Sequence, residues 1–244
     1  VARPILRMPP GIEDSRLLGG LDLAATLEAG RPVLSPGLLE DAKGRTLVLP
    51  MAERATPQLA GRLNAALDAG GDFTLVALDE GVDAEEGAPD SLVDRLAFRP
   101  DLDGVALADL SEQALGDLEA ARARLSGIAV SEGLAEAIVS LAARLGIISL
   151  RAPMLALRAA RAAAAVAGEE AVDEAAAEVA VRLVLAPRAL VMPEVEEPQQ
   201  DPPPPEDDTS ENSPEEDGQI EAEIPEELLL EAVRAALPAD LLAR

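Results

Sequence analysis

The chemistry open to this chain is narrow, because it holds no histidine and no cysteine among its 244 residues. That removes Ser-His-Asp machinery, thiolate nucleophiles, disulfides and the commonest metal ligand. Carboxylates, arginines and one lysine, Lys43, are left. Carboxylates can coordinate a hard cation or polarise water, and arginines can neutralise phosphate. Lys43 is followed by Gly44-Arg45 and does not complete the phosphate-cradling pattern G-x-x-x-x-G-K-[ST]. Leu47-Val48-Leu49 runs into Pro50-Met51-Ala52-Glu53, and Phe73 to Leu78 precedes the acidic stretch Asp83-Ala84-Glu85-Glu86-Gly87.

The elements that must position these residues follow from periodicity. Thr46 to Leu49 and Phe73 to Leu78 are short, apolar and bounded by turn residues, which predicts buried strands. Between them Leu59, Leu63, Ala66 and Leu67 recur at helical spacing, with Thr56 suited to the N-cap, Pro57 to the first turn and Gly70-Gly71 to the stop. Strand, helix, strand predicts a parallel sheet and an α/β region over residues 1–107. Helices are predicted at about 111–125, 130–145, 151–167 and 171–185, with Ser111 opening the first and Gly127, Gly146 and Gly168 marking the breaks. Residues 108–190 therefore read as a small helical domain. Its core must be aliphatic, since aromatic residues make up 1% of the chain.

The formal net charge of −26 argues against nucleic acid and anionic membranes as partners. Fifteen acidic residues and no basic one fall between Met192 and Glu227, so this stretch supplies more than half of the imbalance. Residues 191–224 carry Pro202-Pro203-Pro204-Pro205 and almost nothing apolar, which predicts a disordered spacer. Pro-flanked carboxylates without fixed geometry make poor magnesium cages, so spacing is the expected role. Residues 225–244 read as an amphipathic helix, with Leu228, Leu229, Ala232, Val233 and Leu237 on one side, opening a further domain. No signal peptide or apolar run of membrane length is evident, so a cytoplasmic protein without a membrane span is expected.

Glu13-Asp14-Ser15-Arg16-Leu17-Leu18-Gly19-Gly20-Leu21-Asp22-Leu23, then Gly30, Pro36-Gly37-Leu38-Leu39, Ala42 and Gly44, resembles the insert of the magnesium chelatase AAA+ subunits. The same glycines would also suit hairpin turns. In that family the next strand ends in the Asp-Glu pair of Walker B, where one acid helps hold Mg²⁺ and the other polarises the attacking water. Pro50 and Met51 occupy those two positions here, and Glu53 lies outside the pair. Asp83-Ala84-Glu85-Glu86-Gly87 resembles the sensor-one loop, with Asp83 at its Asn, where a carboxylate opposes a triphosphate; a solvated acidic loop is the alternative. Ser91-Leu92-Val93-Asp94-Arg95-Leu96 is similar to the segment whose arginine reaches the neighbouring subunit's nucleotide, and a helix-end Asp-Arg ion pair is the alternative for Arg95. Leu150-Arg151-Ala152-Pro153 with Leu157-Arg158-Ala159-Ala160-Arg161 resembles the sensor-two helix, with Arg151 as the nucleotide-facing residue and Arg158 and Arg161 as structural residues on the solvated side. Pro187 replaces a usual His in the segment ending at Arg188.

The degenerate Walker B (Pro50, Met51) and sensor one (Asp83) resemble the D subunit rather than the hydrolysing I subunit. The resemblance covers residues 8–190 and implies a partial AAA+ α/β core with an all-helical lid. The family's first strand and phosphate loop would precede Val1. It implies a non-hydrolysing platform in a ring that assembles with the ATP-hydrolysing I subunit and the large porphyrin-binding H subunit. ATP and Mg²⁺ would act at the level of the complex that inserts Mg²⁺ into protoporphyrin IX for (bacterio)chlorophyll, with no cofactor assigned to this chain. Two other readings stay open: an active ATPase of the chelatase or MoxR type with a displaced Walker B, and a non-enzymatic acidic adaptor.

Overall fold

The computed structural model describes residues 4–83, 86–109 and 116–191. The chain divides into two compact units, Val1–Leu96 and Ala97–Arg244. The predicted spacer and closing helix lie outside the described residues from 192 onward, as does the predicted helix start at Ser111.

In the first unit β1 (Ile5–Arg7), β4 (Arg45–Leu49) and β5 (Phe73–Ala77) form a parallel sheet in the order β1-β4-β5. Leu6 pairs with Leu47, and Leu47 pairs in turn with Leu75. Alternation along β4 buries Leu47 and Leu49 completely, while Thr46 and Val48 are half-buried. A parallel neighbour requires a crossover, and α4 (Pro57–Asp68) supplies it. Thr56 caps it as expected, its hydroxyl accepting from the Leu59 amide at 3.2 Å, and Gly70 follows it with a positive φ of 74°. Leu59, Ala60 and Leu63 of α4 join Met8, Leu17, Leu47, Leu49 and Leu92 in the core.

Between β1 and β4 lies an insert of α1 (Asp14–Leu18), β2 (Gly19–Leu21), α2 (Leu23–Ala29), β3 (Leu34–Pro36) and α3 (Leu38–Asp41). β2 and β3 pair antiparallel, Gly19 opposite Pro36 and Leu21 opposite Leu34. The hairpin expected from the glycines is present, but a helix connects its strands. Asp22 caps α2 by accepting from the Ala25 amide at 2.9 Å, and the Thr26 hydroxyl accepts from the Val33 amide at 3.0 Å, closing the loop. Gly19 and Gly37 meet at the base of the hairpin, where backbone packs directly on backbone.

The second unit is helical: α6 (Leu118–Leu125), α7 (Glu132–Arg144), α8 (Arg151–Ala167) and α9 (Glu174–Ala180). Ser131 and Asp173 cap α7 and α9 through their side-chain oxygens. The buried face of α8 is Ala152, Pro153, Ala156, Ala159, Ala160, Ala164 and Ala165. Small residues there let neighbouring helices approach closely, and Leu134, Ile138, Leu141, Leu145 and Leu185 fill the space around them.

Three expectations are corrected here. Residues 116 and 117 are not helical, so the helix predicted over 111–125 is interrupted there and resumes at Leu118, where Asp117 accepts from the amides of Glu119 and Ala120. The predicted helix 171–185 starts at Glu174, since residues 170–172 bridge backbone-to-backbone with Ala129. It then widens into a π turn at Val181–Leu185, followed by a 3₁₀ turn, Ala186–Arg188. Pro187 cannot donate to the ladder and its ring crowds the preceding turn, which accounts for the change of winding. Arg161, expected to be structural on the solvated side, is half-buried instead and is structural, donating to the carbonyls of Leu125 (3.1 Å) and Ser126 (3.4 Å) at the C-terminal end of α6, where orphan carbonyls need donors. Arg158 is exposed as expected.

Candidate functional site

In open parallel sheets ligands bind beyond the carboxyl ends of the strands, so the loops after β4 and β5 are the place to look. β4 ends at Leu49, and Pro50 and Met51 follow it, both half-buried. Met51 is the only described non-glycine residue with positive φ (50°), which turns the chain sharply into a 3₁₀ turn, Ala52–Arg54. The turn is held by the Ala52 amide donating to the Leu78 carbonyl at 2.8 Å. Neither Pro50 nor Met51 offers an oxygen ligand or a base.

Glu53 is the nearest carboxylate in sequence, and its side chain is only 9% exposed. Its Oε2 accepts from the Glu80 amide at 3.1 Å, and its Oε1 lies 3.5 Å from Arg54 Nε. The group is thus engaged in tying the turn after β4 to the loop after β5. Glu53→Ala should lower stability by about 1.5–3 kcal/mol, the usual loss for a hydrogen bond to a charged group. A urea titration with tryptophan-free detection, such as far-ultraviolet circular dichroism, would read the shift.

The β5 loop is organised by Asp79 rather than by Asp83. Asp79 accepts from the amides of Gly81 (3.1 Å) and Ala88 (2.7 Å), closing the loop on itself. Asp83 is exposed, and its backbone carbonyl accepts from the Glu86 amide at 2.9 Å. Among the described residues, no group of three or more carboxylates is placed to hold a metal ion. Lys43 pairs with Glu40 at 2.6 Å on the exposed surface. Among the described residues, the donor set beyond β4 therefore does not fit a catalytic Mg²⁺-nucleotide.

Arg95 follows α5 (Asp90–Val93) and is bound to α4. Its Nε and Nη2 meet the two carboxylate oxygens of Asp68 at 3.0 and 2.6 Å, a bidentate pair, and Nη1 donates to the Ser91 carbonyl at 2.7 Å. The partner is thus Asp68, across the helix pair, rather than the adjacent Asp94. The hydrogen bonds to Asp68, opposed by burial and reinforced by the charges of Asp68 and Asp94, raise the guanidinium above its ordinary range. It carries its full charge at any pH the fold survives. A crossover helix runs from the carboxyl end of one strand back to the amino end of the next. Asp68, the last residue of the 12-residue α4, therefore lies about 18 Å from that helix's start beside the β4 turn. Arg95 and the Pro50–Met51 position are at opposite ends of the sheet.

Arg151 opens α8, is exposed, and its backbone amide donates to the Ser149 hydroxyl at 3.2 Å. It belongs to the helical unit, whereas Pro50, Met51, Asp83 and Arg95 belong to the first. Asp68, Asp79 and the locked state of Glu53 were not anticipated, because each depends on partners distant in sequence or on loop closure. Arg188 is likewise a buried cation that periodicity does not flag, donating to the carbonyls of Val184 (2.6 Å) and Ala97 (3.1 Å).

Residues 135–212 match the AAA lid domain family. The chain is 50% identical over 98% of its length to the magnesium-chelatase 60 kDa subunit of Cereibacter sphaeroides, and 42% identical over 97% to that of Rhodobacter capsulatus. It spans 43% and 42% of those two proteins. The crystal structure of a candidate ATPase from Cytophaga hutchinsonii shares the fold with a TM-score of 0.58 at 16% identity, covering 78% of this chain and 71% of the other. Among the described residues no helix is long and apolar enough to cross a membrane. The chain has an AAA+ α/β core with a helical AAA lid, and along nearly its whole length it is homologous to part of the magnesium-chelatase 60 kDa subunits.

Proposed function

We propose that this chain is the non-hydrolysing AAA+ platform of a magnesium chelatase, of the D-subunit kind. The reading rests on Pro50 and Met51 standing at the end of β4 while Glu53, the acid nearest to them in sequence, is engaged by the Glu80 amide. The homology to chelatase subunits supplies the context. In this reading the platform forms a ring with an ATP-hydrolysing AAA+ partner, the I subunit. That partner's cycle is passed to the large H subunit, on which the porphyrin receives Mg²⁺ as cargo. ATP and Mg²⁺ serve the complex, and the work is cytoplasmic.

This chain's own residues hold, orient and transmit. Arg95, at the end of the sheet away from Pro50 and Met51, is assigned to the phosphates bound by a neighbouring subunit. Arg151 is assigned to sensing nucleotide from the lid. Asp83, a carboxylate in the sensor-one loop, disfavours a triphosphate in the chain's own cleft.

Single-turnover hydrolysis of radiolabelled ATP by the isolated chain tests the silent-subunit reading. No phosphate release above background is expected. Release that disappears in Glu53→Gln would overturn it.

A further inference from the structure

We propose that Asp68 is a latch that keeps Arg95 docked on its own subunit until assembly, and so sets the concentration at which this chain activates its partner. This rests on reading Arg95 as a group that acts on a neighbouring subunit.

Two rungs join α4 to α5 and the turn after it, spaced four residues apart on both sides. Asn64 Nδ2 donates to the Ser91 hydroxyl at 3.1 Å, and Arg95 pairs with Asp68. The Arg95 side chain is 18% exposed and that of Asp68 is 40% exposed, so the guanidinium is held down on the surface of the unit rather than extended from it. An arginine in this state has three of its nitrogens engaged and cannot also reach an anion on another molecule.

Two observations argue that the contact is built to open. Asp68 is the last residue of α4, where the helix dipole disfavours a negative charge. An acid there weakens its own helix, and its evident compensation is the arginine opposite. The neighbouring rung is also incomplete, since Asn64 is 7% exposed and its Oδ1 is buried without a hydrogen-bond partner. The polar seam between the two segments is therefore under-satisfied in the closed position, which lowers the cost of leaving it. A phosphate carries more charge than a carboxylate and accepts the same two-pronged contact, so a neighbour's bound nucleotide can displace Asp68.

The test titrates the cognate ATPase partner with the full chain and records ATP turnover, for wild type, Asp68→Asn, Asp68→Ala, Asp68→Glu and Arg95→Ala. Thermal unfolding of each variant alone is measured in parallel. Asp68→Asn and Asp68→Ala are expected to reach half-maximal stimulation at about two- to fivefold lower concentration than wild type, the ratio for releasing an exposed ion pair. Maximal turnover should be unchanged, and Asp68→Glu, which retains the charge, should titrate like wild type. Alanine at the end of α4 favours the helix, so the variant guards against a folding artefact. An unchanged or higher half-maximal concentration in both Asp68→Asn and Asp68→Ala, with Arg95→Ala inactive, would overturn the latch and leave the role of Arg95 standing. Full stimulation by Arg95→Ala would overturn that role and the latch with it.

Discussion

Replacing Arg95 with alanine is expected to lower ATP turnover of the mixed assembly roughly 10³-fold while leaving assembly itself intact, the lower end of what a trans-acting arginine contributes. The chain should tolerate the change. The ion pair with Asp68 is partly exposed, and such pairs contribute at most about 1 kcal/mol. Phosphate release at saturating chain concentration gives the rate, and sedimentation velocity of the same mixture gives the extent of assembly. The two readouts separate because the position of Arg95 gives it no part in its own subunit's cleft, an α4 length away. Equal losses of turnover and assembly would make the residue a structural tie alone.

The largest expected stability effect belongs to the base of the insert. A methyl group on Gly37 would run into the carbonyl of Leu17, the carbonyl carbon of Leu18 and the amide nitrogen of Gly19, all main-chain atoms that no rotamer change can move aside. Gly37→Ala is therefore expected to cost more than the usual 1–3 kcal/mol of an overpacked side chain and to pry β3 from β2. Its readouts are a lowered unfolding temperature and new proteolytic cleavage within residues 19–36. Gly20→Ala is the matched control, since a methyl group there meets nothing within 4 Å. It should behave nearly as wild type. Equal behaviour of the two variants would show that the insert base is looser than its geometry implies.

Legibility in the sequence followed the range of the forces involved. The helix from Thr56 was readable because cap, first-turn proline and stop glycine all lie within its own residues, and the strands on either side because they are apolar and short. The insert helix α2 was not, since none of its residues is buried and hydrophobic periodicity has nothing to record there. Its local signals lie at its two ends: Asp22, three residues before the amide it caps, and Gly30, which closes it in the left-handed conformation. That neither Pro50 nor Met51 is an acid could be read directly from residue type. What Glu53 and Arg95 do instead could not. Each meets a partner 27 residues away in sequence, and which carboxylate faces which amide or guanidinium is settled only when α4 folds back along the sheet. The π turn at Val181–Leu185 was similarly hidden, because Pro187 announces an ending without saying how the preceding carbonyls will be re-paired.

That wider turn also fixes an orientation. Winding the same residues as an ordinary α-helix would rotate everything after them by roughly 100°. The guanidinium of Arg188 would then swing away from the Ala97 carbonyl, and the first residues of the helical unit would lose their anchor to its last turn. The irregular winding and the buried cation are one device: the wide turn takes up the extra residue and so keeps head and tail of the helical unit in register.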